Sequence, residues 1–151
     1  MKTRPNYTKF KKSHLRRPTA QSNRRHVIRS GEYALKSLEN GYLTSAQIET
    51  VYGSLNRKLK QYSTDNQASM KKRLTFIWVR VFPDVPYTTT GTESRMGKGK
   101  GNATEWLSTV QRGQIMFEFS RVPEVALSNL VKYITARLPI RAKLVRYNHI
   151  G

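Results

Sequence analysis

The residues best suited to chemistry are the glycines and lysines that alternate between positions 91 and 102. Gly97, Gly99 and Gly101 accept backbone conformations that other residues avoid, and they let the main chain come close to a partner. Arg95, Lys98 and Lys100 add three cations within a span of six residues. Cations on a flexible backbone suit phosphate groups, so this segment, the glycine–lysine loop, predicts a contact with nucleic acid.

Two nucleotide-binding patterns are excluded for this loop. The phosphate-binding loop of nucleoside triphosphatases ends in Gly-Lys-Ser or Gly-Lys-Thr, whereas Lys98 and Lys100 are each followed by glycine. The glycines do not fit Gly-x-Gly-x-x-Gly either. A flexible linker between two strands remains as the alternative. Because the whole chain is strongly basic, we favour the nucleic-acid contact.

The composition indicates one basic domain. The 151 residues include 28 Lys and Arg against 9 Asp and Glu, and this net charge of +19 would repel itself strongly without a polyanion. No apolar run approaches the roughly 20 residues that span a bilayer, so we expect no membrane association. Cysteine is absent, and His14, His26 and His149 are too scattered to bind a metal. We therefore expect no metal and no cofactor.

Residues 1–30, the basic arm, contain ten basic residues and no acid. Such a segment buries too little apolar surface to fold alone, so we expect it to be ordered by RNA phosphates. Tyr7 and Phe10 could stack on unpaired bases. A solvated tail and an organelle transit peptide are the alternatives. The predicted RNA-binding residues of the arm are Arg4, Lys9, Phe10, Lys11, Lys12, Arg16, Arg17, Arg24 and Arg25.

The first half of the remaining chain predicts a strand pair followed by a helix. Residues 32–43 alternate around the turn signal Asn40-Gly41 and favour two paired strands. Thr44 and Gln47 fit a capping box. The helix is expected over 45–62, with a buried stripe of Ile48, Val51, Tyr52, Leu55, Leu59 and Tyr62. Residues 63–73 are polar and predict an exposed loop.

The second half predicts strands and one more helix. Residues 74–82 read as a strand with Phe76, Trp78, Arg80 and Phe82 on one side and Ile77, Val79 and Val81 on the other. Residues 103–110 and 114–122 favour a hairpin around Arg112-Gly113. A helix with Pro123 in its first turn buries Leu127, Leu130, Val131, Ile134 and Leu138, and we expect Trp78 and Phe82 to pack against it. Residues 140–147 form a last strand. Residues 31–151 thus predict a single α+β domain, with two helices on one face of a largely antiparallel sheet.

Four sequence blocks resemble the uL16 family of ribosomal proteins. They are Thr8-Lys9-Phe10-Lys11-Lys12, residues 43–49 at the helix cap, Trp78-Val79-Arg80-Val81-Phe82-Pro83-Asp84, and residues 95–102. The resemblance covers nearly the whole chain. It implies a structural constituent of the large ribosomal subunit that is not an enzyme, and that binds large-subunit rRNA near the A-site side of the peptidyl transferase region.

The resemblance also implies roles for individual residues. Lys9, Phe10, Lys11 and Lys12 would thread among rRNA helices. Arg95, Met96, Gly97, Lys98, Gly99 and Lys100 would form a loop facing the tRNA and the peptidyl transferase centre, with Arg95 and Met96 at its tip. The expected partners are large-subunit rRNA, A-site tRNA and neighbouring large-subunit proteins. A homo-oligomer is not expected.

Some features depart from the family pattern and leave alternatives. Residues 65–72 resemble an insertion, and residues 13–29 lack the usual glycine-rich basic composition, which favours a mitochondrial member over a plastid or bacterial one. Because the Thr8 block aligns with a mature protein, the chain resembles a mature protein from Met1. A free RNA-binding or ribosome-assembly factor is the alternative function. An enzyme would have to use Asp84, Glu93 or Glu105, which lie in a proline turn, a cationic loop and a strand.

Overall fold

The computed structural model describes residues 2–65, 76–91, 95, 97, 99–122 and 124–147. These residues contain two helices and seven strands, joined by irregular segments. The mixture of helices and antiparallel strands confirms the predicted α+β class. No helix in those ranges is long and apolar enough to cross a membrane. In chain order the elements are β1 (Tyr33–Ser37), β2 (Gly41–Thr44), α1 (Ser45–Asp65), β3 (Ile77–Val79), β4 (Val85–Thr88), β5 (Ala103–Val110), β6 (Ile115–Phe119), α2 (Glu124–Thr135) and β7 (Ala142–Arg146).

The strands form two antiparallel sheets where one was expected. A four-stranded sheet has the order β3-β6-β1-β7, and a three-stranded sheet has the order β2-β5-β4. In the larger sheet, Tyr33 of β1 lies opposite Phe119 of β6 and Arg146 of β7. In the smaller sheet, β5 is the central strand, and its Ser108 lies opposite Leu43 of β2. The chain therefore has to cross between the two sheets.

Both predicted hairpins are wrong, because the two turns join different sheets. β1 leads into β2 and β5 leads into β6, yet neither pair is hydrogen-bonded as strands. The two turns instead bond to each other. Gly113 donates from its N–H to the Ser37 carbonyl at 2.9 Å, and Ser37 donates to the Gln114 carbonyl at 2.8 Å. The Arg112 N–H donates to Asn40 Oδ1 at 2.6 Å. The turn residues were identified correctly, but their partners lie about 70 residues away.

Helix α1 begins as its sequence predicts. The Thr44 N–H donates to Gln47 Oε1 at 3.0 Å, and the Gln47 N–H donates to Thr44 Oγ1 at 3.2 Å, which closes the capping box. The stripe that follows is buried, with Ile48, Val51, Leu55 and Leu59 almost fully shielded from solvent. The helix continues to Asp65, three residues beyond the predicted end.

The main core lies between the helices and one face of the four-stranded sheet. Phe117 and Phe119 of β6 and Leu35 of β1 are fully buried there, and the α2 stripe of Leu127, Leu130 and Ile134 packs in the same cluster. The opposite face of the sheet has a smaller cluster of Ala34, Ile115 and Ile28, and Ile28 comes from the basic arm. The arm thus supplies part of the second face.

Strand β3 shows that the expected packing of Trp78 and Phe82 is wrong. Ile77 and Val79 are partly buried against the main core and Val81 belongs to it. Because side chains alternate along a strand, Phe76, Trp78 and Phe82 turn away from the helices. Phe76 and Phe82 are 46% and 44% exposed. The strand is also shorter than predicted, and its expected first residues, 74 and 75, lie outside the described residues.

Candidate nucleic-acid interface

The last third of the basic arm packs against the four-stranded sheet and against the turn that leads into β6. The Ser22 N–H donates to the Arg112 carbonyl at 2.9 Å, and the Ile115 N–H donates to the Arg25 carbonyl at 2.9 Å. Ile28 fills the cluster with Ala34 and Ile115. These contacts use the backbone and one apolar side chain, so the Arg24 and Arg25 side chains remain exposed.

The carboxylate of Glu118 anchors the end of the arm. It is fully buried in β6, where a charge is costly without partners. The N–H groups of Ser30 and Gly31 donate to its Oε2 at 2.8 and 3.1 Å, and the Arg29 N–H is 3.3 Å from both oxygens. The Arg80 guanidinium forms an ion pair with the same carboxylate. Charge-assisted bonds of this kind are stronger than neutral ones, so they fix where the arm leaves the domain.

Beside this anchor, four arginines surround a cleft, which we call the arginine cleft. Arg24, Arg25 and Arg29 come from the arm, and Arg80 follows β3. The cleft has a volume of about 460 Å³ and is also lined by Phe82, Asp84, Val85, Ser108 and Thr109. Asp84 is the one acid among these lining residues, so the cleft is positively charged. Such a surface attracts anions and phosphate above all.

The first two thirds of the arm are exposed. Arg4, Lys9, Phe10 and Lys11 face solvent, and the Lys9 ammonium lies 5.5 Å from the centre of the Phe10 ring. Arg16 and Arg17 are exposed too, while the Arg16 carbonyl accepts a bond from the Tyr42 hydroxyl at 2.6 Å. The structure therefore leaves the predicted RNA-binding cations accessible. Contact with RNA remains a prediction.

The glycine–lysine loop connects β4 to β5. Gly97 and Gly99 have φ angles of 83° and 98°, a region that strongly favours glycine. A Cβ at Gly101 would lie 1.8 Å from the Thr89 carbonyl oxygen, so the two sides of the loop base approach too closely for any other residue. Arg95 and Lys100 are exposed. Met96 and Lys98, which were predicted to belong to the same site, lie outside the described residues.

Two contacts bring the basic arm and the loop together. Lys12 donates from Nζ to the Lys100 carbonyl at 2.7 Å. Lys100 donates from Nζ to the Ser13 carbonyl. The arm and the loop were predicted as separate sites, 88 residues apart in sequence at these lysines. The structure joins them into one basic surface.

Two of the three acids considered for an enzyme lie among the described residues, one before β4 and one in β5. Asp84 and Glu105 are exposed, and Glu93 lies outside the described residues. Within the described ranges, no group of three or more His, Cys, Asp or Glu could hold a metal ion. Burial raises the pKa of the Tyr33 hydroxyl, neighbouring Arg146 opposes this effect, and Glu124, 3.4 Å away, adds to it.

Sequence reasoning missed Glu118 and its partner Arg80. The available signal is that Glu118 interrupts the apolar strand Ile115–Phe119, every residue of which is buried. A carboxylate in such a strand requires partners, but the sequence does not say which groups supply them.

Comparison with known proteins assigns the family. The family model for ribosomal protein L16p/L10e matches residues 5–145. The large ribosomal subunit protein uL16 of Thermosipho africanus is 35% identical over 147 residues, which cover 97% of this chain and 95% of that protein. The uL16c protein of Gracilaria tenuistipitata is 35% identical, covering 93% and 96%, and uL16 of Borreliella burgdorferi is 33% identical, covering 93% and 94%. With this agreement along almost its full length, the chain belongs to the ribosomal protein L16p/L10e family.

Proposed function

We propose that the chain is a structural constituent of the large ribosomal subunit and binds large-subunit rRNA through the joined surface of the basic arm and the glycine–lysine loop. The observation that carries this proposal is the pair of contacts between Lys12, Ser13 and Lys100, which unites the two most cationic segments. The relatives named as large-subunit proteins support the large ribosomal subunit as the assembly to which the chain belongs. The chain is a ribosomal protein and not an enzyme.

The charge distribution supports rRNA as the ligand. Ten cations and no acid lie in residues 1–30, and the arginine cleft continues the same charge beside Glu118. A protein that neutralises several phosphates loses affinity steeply as salt rises. We propose that residues 2–20 become ordered on rRNA, while residues 22–31 are held by the domain through Ser22, Ile28 and Glu118.

The second part of the proposal assigns the loop to A-site tRNA. Arg95 is exposed, and glycines on both sides of Lys98 let the backbone come close to a phosphate chain. At the base of the loop, Gly101 lies directly against the Thr89 carbonyl, where a Cβ would not fit. We propose that Arg95 and Met96 form the tip that faces the peptidyl transferase region.

Sucrose-gradient fractionation tests the assembly. A tagged copy of the full chain should sediment with large subunits and with whole ribosomes, and should stay there through a wash at moderate salt. A free RNA-binding or assembly factor would remain in light fractions or on immature particles only, and that outcome would replace the proposal.

We also propose a mitochondrial location, which rests on the departures of residues 13–29 and 65–72 from the family pattern. The relatives in bacteria and in Gracilaria do not distinguish the compartment. Fractionation of the source cells, with detection of this chain in purified mitochondria and plastids, provides the test. Recovery in plastids or in a bacterial cytoplasm would contradict the location without affecting the ribosomal role.

A further inference from the structure

A groove at one end of the four-stranded sheet combines aromatic rings with arginines. Phe76 and Trp78 lie side by side with ring centres 5.9 Å apart, and Phe76 is nearly half exposed. Arg29 and Arg121 line the same groove, which has a volume of about 710 Å³. We call it the aromatic–arginine groove. Packing in the main core, the role predicted for Trp78, does not explain the groove, because Phe76 and Trp78 turn away from the helices.

Arg121 is held in an unusual conformation in this groove. Its φ is 60°, the only positive value for a residue other than glycine in the described part of the chain. Its N–H donates to Glu32 Oε2 at 3.2 Å, and its guanidinium lies 5.6 Å from the centre of the Phe76 ring. A left-handed backbone is disfavoured for arginine, and such strain persists where the surroundings impose it, often at binding sites. The conformation places a cation beside an exposed ring.

The charges around the groove favour an anionic ligand. Three arginines and one glutamate are among the described residues that line it. The glutamate, Glu32, already accepts the Arg121 N–H. Arg146 is paired with Glu124 at 2.8 Å. Arg29 and Arg121 outnumber the remaining acid, Glu32, so the groove carries a net positive charge.

We propose that the aromatic–arginine groove binds an unpaired RNA nucleotide, with its base stacked on Phe76 and Trp78 and its phosphate on Arg29 and Arg121. The inference rests on the proposed rRNA-binding function and adds a defined single-stranded site to it. Aromatic faces stack on unpaired bases of any sequence, and arginine forks match phosphate oxygens. Because Arg29 and Arg121 stand beside the rings, the groove favours this anionic ligand over an apolar protein segment.

Arg29 connects the proposed nucleotide site to the arginine cleft. Arg29 lines both this groove and the arginine cleft, where Arg24 and Arg25 are also exposed. A strand whose phosphates follow the arm arginines can therefore reach the aromatic rings by way of Arg29.

Fluorescence of Trp78 provides the primary test. The chain has two tryptophans, so Trp106→Phe leaves Trp78 as the only one. The full-length Trp106→Phe protein is titrated at physiological salt with single-stranded oligouridylate and with duplex RNA of equal nucleotide number. We expect the single strand to quench Trp78 and the duplex to bind with little quenching. Equal quenching by both, or none by the single strand, would overturn the proposed site.

Two variants in the same background identify the contacts. Phe76→Leu should weaken the oligouridylate affinity at least fivefold, since stacking on one aromatic residue contributes about a five- to hundredfold change. Arg121→Gly should weaken it by a similar factor while leaving the melting temperature unchanged or higher, because glycine accepts the φ of 60°. Arg141→Gln removes one exposed cation outside the groove and serves as the control. Losses no larger than that of Arg141→Gln would overturn the proposal.

The ribosomal complex separates this inference from the function on which it rests. In ultraviolet-irradiated large subunits, Phe76 or Trp78 should be crosslinked to rRNA. If these residues are crosslinked to a neighbouring protein instead, the groove is a protein interface and the nucleotide site is wrong. Co-sedimentation with large subunits would then still support the ribosomal function.

Discussion

The Lys12 ammonium donates to the main-chain oxygen of Lys100 at 2.7 Å, and the Lys100 ammonium donates to the carbonyl of Ser13. Each lysine thus uses its charge to hold the backbone beside the other. The basic arm and the base of the glycine–lysine loop are consequently coupled, so that ordering the arm on RNA should also restrict the loop. This coupling can be measured in the free protein.

Lys12→Met should loosen the loop base while leaving the domain intact. The methionine retains the apolar stem but cannot donate to Lys100, so amide hydrogen exchange should become faster at residues 99–102. Lys11→Met, which removes an exposed charge next to it, is the control and should leave that exchange unchanged. Equal exchange in both variants and the unmodified chain would show that the arm does not restrain the loop.

Glu118→Gln should reduce the free energy of unfolding by about 3 kcal/mol. The amide keeps the size of the side chain, but it removes the anion that pairs with Arg80. Its NH2 group must also face either the Arg80 guanidinium or the arm N–H groups, which are donors themselves. Denaturant unfolding measures the loss, and exchange at residues 29–31 should increase with it. Glu124→Gln, which breaks the exposed pair with Arg146, should cost less than about 1 kcal/mol. If the two variants lose the same stability, Glu118 does not anchor the arm.

Gly101→Ala should destabilise the loop base by about 1 to 3 kcal/mol, because the added methyl group overlaps the Thr89 carbonyl. Thermal unfolding and exchange at Thr104 on β5 would record the change. Gly53→Ala is the matched control: a Cβ there meets no atom within 4 Å, and alanine should stabilise helix α1 by about 0.5 to 1 kcal/mol. A neutral result for Gly101→Ala would mean that the strands separate there at little cost.

Leu130→Ala should cost about 2 to 5 kcal/mol of unfolding free energy, because Leu130 is fully buried between α2 and the sheet and its truncation opens a cavity. RNA binding should weaken only to the extent that the protein unfolds. Lys132→Ala on the exposed side of the same helix should change stability by less than about 0.5 kcal/mol. Unchanged stability of the Leu130 variant would contradict the assignment of this stripe to the core.

The sequence predicted those features whose causes are local. The Thr44 and Gln47 capping box and the stripe from Ile48 to Leu59 depend on residues within one or two helical turns, and both were located correctly. The hairpins failed because β1 pairs with β6 and β2 pairs with β5, and no local pattern reports a partner so far along the chain.

In the candidate site, too, the sequence predicted the local features and not the contacts between distant residues. The alternation of glycine and lysine identified the loop, and the run of cations identified the arm, since both are compositional. Their contact through Lys12 and Lys100 is a tertiary contact between residues far apart in the sequence, so composition does not predict it. Glu118 could be suspected as a charge in an apolar strand, yet its donors at residues 29–31 come from almost 90 residues earlier. The alternation along β3 was clear, but which side faced the helices required the whole fold.

The arm and the loop should have separable functions, although they touch. Lys12 and Lys100 are left intact in this test, because changing either would disturb both segments. Lys9→Ala with Lys11→Ala should impair incorporation into the large subunit and reduce the salt dependence of RNA binding by about one unit for each lost phosphate contact. Arg95→Ala with Lys98→Ala should leave most of the incorporation intact and slow A-site tRNA binding or peptide transfer.

Gradient fractionation measures incorporation into the large subunit. The rate of single-turnover peptide transfer on purified ribosomes measures the effect of the loop variant. Arg141→Gln with Lys143→Gln removes two exposed charges elsewhere and should affect neither measurement. Because Lys12 and Lys100 are unchanged, the contacts between the arm and the loop base should persist in both variants. Ribosomes that carry the loop variant and still transfer peptides at the normal rate would show that residues 91–102 act only as a linker between β4 and β5.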